Sequence, residues 1–313
     1  MVNIHPVELI SFFWGDNMMK TLFEGRNGLT VDALEIMKGA IDIHVHIGPD
    51  PNRRRRVTAY EAAIQAKEAG LRGIVLKSHY YITTPLTYIV HQLVPGIELY
   101  GGLALDFEVG GLNPSAVEMA GKIHTKMVWM PTFSSQCDVQ KRNIEEKGIT
   151  ILDPSGNILP VVTEILELIK KYDMTLATGH LSTREIFALL EEVRKVGVER
   201  TIITHPLSIS FGCRASLEEQ KKMISERVWI EHCFIATMPT SDRVDPQRIA
   251  DAIRAVGAER CILSTDFGQI FNPPPVEGMR MYIETMLRCG ITEDEMIAMV
   301  RVNPARALGL PVK

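Results

Sequence analysis

Eight short apolar runs recur from residue 41 onward, and amphipathic stretches lie between them. The runs are IDIHVHI (41–47), GIVLKSH (73–79), IELYGGLAL (97–105), KMVWMPT (126–132), MTLATGH (174–180), RTIITHP (200–206), RVWIEHCF (227–234) and RCILSTD (260–266). Such alternation is the mark of repeated βα units on a parallel sheet. TAYEAAIQAKEAG (58–70) closes on a glycine, as helices often do, and 160–173, 183–197 and 245–257 repeat the helical pattern. With a closing helix near 276–289, the pattern predicts an α/β fold, a (β/α)8 TIM barrel over 41–313. An open doubly wound sheet is the alternative. It lacks support, because no glycine-rich phosphate loop follows the first strand.

Three segments fall outside the repeat. Residues 1–40 read as an N-terminal extension, helical in part. Residues 134–160 form a small insertion after the fourth strand, where GITILDPSGNILP reads as a hairpin turning at Asp153–Asn157. Residues 291–313 add a terminal helix and the NPARALGLP tail.

Composition narrows the function classes. Hydrophobic residues make up 46% and charged residues 23%, which suits a folded chain rather than a disordered one. The net charge of −4 leaves no basic footprint for nucleic acid, and the only basic run is Arg53–Arg56. No stretch approaches the ~18 apolar residues of a membrane span, and the N-terminus lacks the features of a secretory signal. Five scattered cysteines form no CxxC pair, so we expect a reducing cytoplasm and no disulfide framework.

The chemistry gathers at strand ends. His44 and His46 end the first strand, His180 the fifth, His205 the sixth and Asp266 the eighth. In a barrel these ends share one face, so residues distant in sequence converge there. Alternation along the first strand puts Asp42, His44 and His46 on one face. Ile41, Ile43, Val45 and Ile47 take the other, which suits packing against outer helices. Imidazole and carboxylate are ligand types for zinc and similar divalent ions. His5, His91 and His124 have no such placement, and His124 precedes its strand. The cysteines lack a catalytic partner, since His232 and Cys233 are adjacent on a strand and point to opposite faces. No G-x-S-x-G elbow, P-loop or dinucleotide fingerprint is present.

The motifs DIHVHIGPD, ATGH, ITHP, STDFG and the NPARALGL tail resemble those of the amidohydrolase superfamily of metal-dependent hydrolases, from about residue 41 to the C-terminus. The resemblance implies that His44 and His46 bind one ion. His180 and His205 bind a second or assist the first, and Asp266 binds metal and shuttles a proton. Zinc is the default ion and manganese the alternative. Many two-metal members bridge their ions with a carboxylated lysine on the fourth strand. Here Lys126 sits at the start of that strand. Lys77 lies near the end of the second, inward by parity with Val75 and His79. As a carbamate Lys77 would bridge two ions; as an ordinary lysine it would hold a substrate anion or pair with Asp266.

His79 is a candidate catalytic group, as metal ligand, substrate-orienting residue or oxyanion stabiliser. Arg53, Tyr80, Arg184, Arg214 and His232 are substrate-binding candidates; guanidinium forks suit carboxylates. For the arginine run, a solvated face or a subunit contact competes. The implied activity is hydrolysis of a small amide, cyclic amide, lactone or ester by metal-activated water, with Asp266 as proton shuttle. The alternatives are mononuclear metal-dependent decarboxylation of an aromatic or unsaturated acid, and a non-catalytic metal- or ligand-binding barrel. The expected partner is a small molecule, with no nucleic acid and no membrane. Relatives of this kind often form homo-oligomers, and we expect one here.

Overall fold

The structure is a computed structural model that describes residues 32–312. Residues 1–31, with His5 and most of the expected extension, lie outside the described residues. All eight expected strands form: β1 Ile41–His46, β2 Gly73–Lys77, β3 Glu98–Ala104, β4 Met127–Trp129, β5 Thr175–Ala177, β6 Thr201–Ile203, β7 Val228–Cys233 and β8 Cys261–Ser264. They lie side by side in sequence order, each parallel to the next. The circle closes where the His46 amide donates to the Phe267 carbonyl at 2.8 Å. This is a (β/α)8 barrel, as the alternating pattern predicts.

Local chemistry sets the helices between the strands. Ala59–Glu68 and Thr183–Val196 each begin with a reciprocal capping box, Thr58 with Glu61 and Ser182 with Glu185. Pro160 opens Pro160–Lys171, where a missing amide hydrogen costs nothing. The insertion after β4 holds a short helix, Gln136–Lys141, which Ser135 caps. Its expected hairpin is present: Leu152 bridges Ile158 antiparallel, and the Asp153 amide donates to the Asn157 carbonyl at 2.8 Å.

The barrel interior is filled by Ile41, Ile43, Val75, Trp129, Trp229 and Ile262. Ala305, Ala307 and Leu308 from the C-terminal tail join this cluster. The Ala307 carbonyl accepts from Thr175 Oγ1 at 2.7 Å, at the first residue of β5. The tail therefore plugs the N-terminal end of the barrel, leaving the opposite end for chemistry. Ala33–Met37 belongs to the barrel unit, and Arg301 Nε donates to the Ile36 carbonyl at 2.9 Å.

The expected division of faces along β1 does not hold. Ile41 and Ile43 sit in the barrel interior, not against the outer helices. The Asp42 carboxylate turns toward β8. It accepts from the Thr265 amide at 3.1 Å, the Thr265 hydroxyl at 2.5 Å and the His44 amide at 3.2 Å. The pairing with β2 shifts register between Asp42 and Val45. Such an irregularity resets the two-residue alternation. It lets apolar residues fill the lower barrel while both histidines reach the upper end.

Candidate metal centre and active site

Two groups of donor atoms meet above the apolar core. In the first, Asp266 Oδ1 lies 3.0 Å from His46 Nε2 and 3.3 Å from His44 Nε2. Lys77 Nζ stands 3.0 Å from the same His44 nitrogen, above the face of Trp129. In the second, His180 Nε2 and His205 Nε2 are 3.2 Å apart. The strand pairing explains part of this, since His46 is in register with Lys77. All six side chains are buried or nearly so. His205 and Asp266 hold left-handed backbone, with φ of 28° and 53°. Such conformations cost of order 1–3 kcal/mol in residues other than glycine and cluster at functional sites.

Buried carboxylates set the histidine tautomers. His44 Nδ1 faces Glu231 Oε1 at 3.1 Å, and Ser264 Oγ donates to the same oxygen at 2.7 Å. His180 Nδ1 faces Asp138 Oδ2 at 2.6 Å, while the Gly212 amide donates to Oδ1. Burial pushes the Glu231 and Asp138 carboxyls up, but the histidines beside them and their hydrogen bonds hold both below the usual range. They stay ionised and accept only. Each Nδ1 therefore carries a proton, and each Nε2 is the nitrogen turned to the centre. Burial likewise pushes Asp266 up, yet His44 and His46 hold it well below the usual carboxylate range. Burial depresses His46 well below its usual value and His205 to about 3, so both are neutral.

His79 is fixed by a chain of three groups. Its Nδ1 lies 2.6 Å from Thr132 Oγ1, whose hydroxyl meets Asp106 Oδ2 in a very short contact. Asp106 also accepts from the Thr132 and Ser134 amides, both at 2.8 Å. Burial pushes Asp106 up, but His79 and these bonds bring it down to about 2, so it accepts only. Thr132 then donates to Asp106 and accepts from His79 Nδ1. His79 Nε2 is left without a proton. That geometry suits a ligand or proton acceptor rather than a donor to an oxyanion. Burial lowers the His79 imidazole to about 3, consistent with a neutral ring.

A cavity of about 550 Å³ opens above the donors. His46, Lys77, His79, His180, His205 and Asp266 form its floor, and Arg53 is on its rim. Tyr80, Arg184, Arg214 and His232 do not line it. Arg184 lies over the turn at Gly156, and Arg214 is exposed. Glu231 and Cys233 face the barrel interior. His232 between them faces the other way, buried, with neither ring nitrogen hydrogen bonded.

Sequence reasoning missed Asp106, Asp138, Glu231 and Cys233. Cys233 Sγ is 3.2 Å from Ser264 Oγ and 3.8 Å from His44 Nδ1. Donors of His44, Cys233 and Asp266 lie within 4.8 Å of one another. Glu231 was the one detectable signal, a carboxylate inside an otherwise apolar strand; acids are almost never fully buried unless paired.

These residues fit a divalent ion. A tetrahedral zinc with bonds of about 2.0–2.1 Å has ligand edges of about 3.3 Å. The His44–Asp266, His46–Asp266 and His180–His205 separations of 3.3, 3.0 and 3.2 Å are close to that edge. Carboxylates behind the ring nitrogens are also what orients metal-binding imidazoles. We therefore expect Glu231→Gln to weaken zinc binding about 10–100-fold, read by competition with a chromophoric chelator. Unaltered affinity would remove Glu231 from the site.

The eight-stranded βα barrel gathers histidines, a lysine and an aspartate at its strand ends. Residues 39–231, more than half of the chain, match the model of the "Family of unknown function (DUF6282)", and the chain belongs to that family. No curated protein matches the sequence. Several solved structures share the fold. A probable 2-pyrone-4,6-dicarboxylic acid hydrolase from Acinetobacter baumannii, with citric acid bound, has TM-score 0.59 and 11% identity over 87% of this chain and 100% of the other. A 2,6-dihydroxybenzoate decarboxylase from Rhizobium has TM-score 0.56 and 12% identity over 87% and 99%. An amidohydrolase from Burkholderia multivorans with bound zinc has TM-score 0.54 and 12% identity over 87% and 99%.

Proposed function

We propose that the protein is a metal-dependent hydrolase of a small amide, cyclic amide, lactone or ester. The observation that carries this is the set of histidine Nε2 atoms and Asp266 Oδ1 at the floor of the cavity, with His44 and His180 oriented by buried carboxylates. His44, His46 and Asp266 would hold one ion; His180 and His205 would hold a second or support the first. Zinc is the expected metal and manganese the alternative. A divalent ion there supplies Lewis acidity to a substrate carbonyl and lowers the pKa of water from ~15.7 toward ~7. Asp266, ionised and at the cavity floor, takes a proton from the attacking water and delivers it to the leaving group. His79 Nε2, an acceptor, orients that water or joins the ligands.

Lys77 decides the nuclearity. Burial lowers its pKa, which favours the neutral amine that reacts with carbon dioxide. As a carbamate it would bridge two ions; as an amine it donates to His44 Nε2, as the 3.0 Å contact has it. Elemental analysis of protein purified without chelator distinguishes the two. About two ions per chain, with a carbamate signal after labelling with isotopic bicarbonate, would fix the bridge. About one ion at full occupancy would leave Lys77 as an amine or ammonium. That outcome would raise the second reading, mononuclear decarboxylation of an aromatic or unsaturated acid. The aromatic lining of Phe133 and Phe211 favours that reading. Carbon dioxide release without water incorporation would establish it. Among the described residues no helix is long and apolar enough to cross a membrane. A cytoplasmic homo-oligomer acting on a small molecule completes the proposal.

A further inference from the structure

The four arginines after β1 do not share one fate. Arg55 is committed to Asp50, with Nη2 at 2.6 Å and Nε at 2.7 Å from Oδ2. Arg56 reaches the Ile270 carbonyl, and its amide donates to the Gly268 carbonyl at 2.7 Å. Asp50 also accepts the Asn52 and Arg53 amides, at 2.9 and 2.8 Å. The loop is thus tied within itself and to the segment after β8. What it holds out are Arg53 and Arg54. Both line the cavity, and neither guanidinium has a carboxylate partner among the described residues.

Arg53 is also placed. Its guanidinium carbon lies 4.7 Å from the centre of the Phe133 ring. Phe133 stacks on His79 with centroids 3.8 Å apart, and His79 stacks on His46 at 4.9 Å. One aromatic ring therefore separates the guanidinium from the catalytic floor. Phe211 packs against Phe133 at 5.6 Å and also lines the cavity, with Ile235, Ile270 and Phe271. Among the described residues Asp266 is the only carboxylate on the lining, and it lies at the floor. The rim is cationic, the walls mix these apolar groups with Ser208, Ser210, Thr240, Ser241, Gln269 and Asn272, and the reacting groups are deep.

We propose that the cavity takes a planar, anionic substrate. A carboxylate is held at the rim by Arg53 and Arg54, an unsaturated or aromatic segment lies against Phe211 and the edge of Phe133, and the reacting group reaches Asp266. This rests on the assignment of the same cavity as the active site, and it names the class of substrate.

The test is binding, which needs no turnover. Metal-loaded protein is titrated calorimetrically with isophthalate, benzoate and neutral isophthalamide. Isophthalate carries one carboxylate more than benzoate on the same ring. We expect it to bind about tenfold or more tighter than benzoate, and isophthalamide to bind more weakly than either. Arg53→Gln and Arg54→Gln should erase most of the advantage over benzoate while leaving metal content and melting temperature unchanged. An advantage that survives both substitutions overturns the proposal, as does equal binding of isophthalate and benzoate in the unaltered protein. Arginine-dependent binding with no turnover of any amide, lactone or ester would sink the hydrolase alone. Turnover of neutral substrates with kcat/KM indifferent to both arginines would sink the anion site alone.

Discussion

Replacing Asp266 by Asn is expected to cost about 10²–10⁴ in kcat while leaving metal in place. Asn keeps the shape and one oxygen, so the contacts now made to His44 and His46 at 3.3 and 3.0 Å can persist. What it loses is basicity. An amide oxygen takes no proton at neutral pH, whereas the native carboxyl is held well below the usual range and stays ionised throughout. Elemental analysis and turnover of the best amide or lactone from a screen, measured on the same preparation, check both halves. Metal retained with turnover lost places the proton at Asp266. Comparable turnover removes that role.

The second large effect is on folding. Gly179 precedes His180 and holds φ of +59°, and a Cβ there would come within 2.2 Å of the Met130 carbonyl oxygen. That oxygen is backbone of the neighbouring strand end, and the His180 amide donates to the adjacent Pro131 carbonyl at 2.9 Å. Nothing flexible can give way. Strain from left-handed backbone and overpacking each cost of order 1–3 kcal/mol, so Gly179→Ala should lose about 2–4 kcal/mol. Gly197→Ala is the control. Its φ is +79°, but the nearest atom is the flexible end of Lys170 at 3.4 Å. It should lose only about 1 kcal/mol. Urea denaturation midpoints compare the two variants. Equal losses would mean that the clash at Met130 is relieved at no cost.

Much of the barrel is legible because its signals are local. Runs such as GIVLKSH and RCILSTD carry their own strand propensity, and parallel topology then forces the strand ends together. That is why His44, His46, His180, His205 and Asp266 can be placed near one another without coordinates. The orienting carboxylates are different. Asp138 sits in the insertion after β4 and Asp106 just beyond β3, and their histidines lie 42 and 27 residues away. No spacing rule links such pairs. Loop residues fail for a related reason. Arg53 and Arg184 both follow strand ends, but the direction of a loop depends on what it is tied to. Asp50 aims the first at the cavity, while the turn at Gly156 receives the second. Along β1 the two-residue rule breaks at a register shift that the sequence IDIHVHI does not announce.

The tail that packs Ala305, Ala307 and Leu308 under the barrel has a kinetic consequence. With Trp129 and Trp229 in the same cluster, the described residues pack the lower interior and open the cavity at the other end. Reactant and product share one mouth, so a product that keeps the reactant's carboxylate must leave past Arg53 and Arg54 before the next molecule enters. Turnover should slow as product accumulates, in competition with fresh substrate.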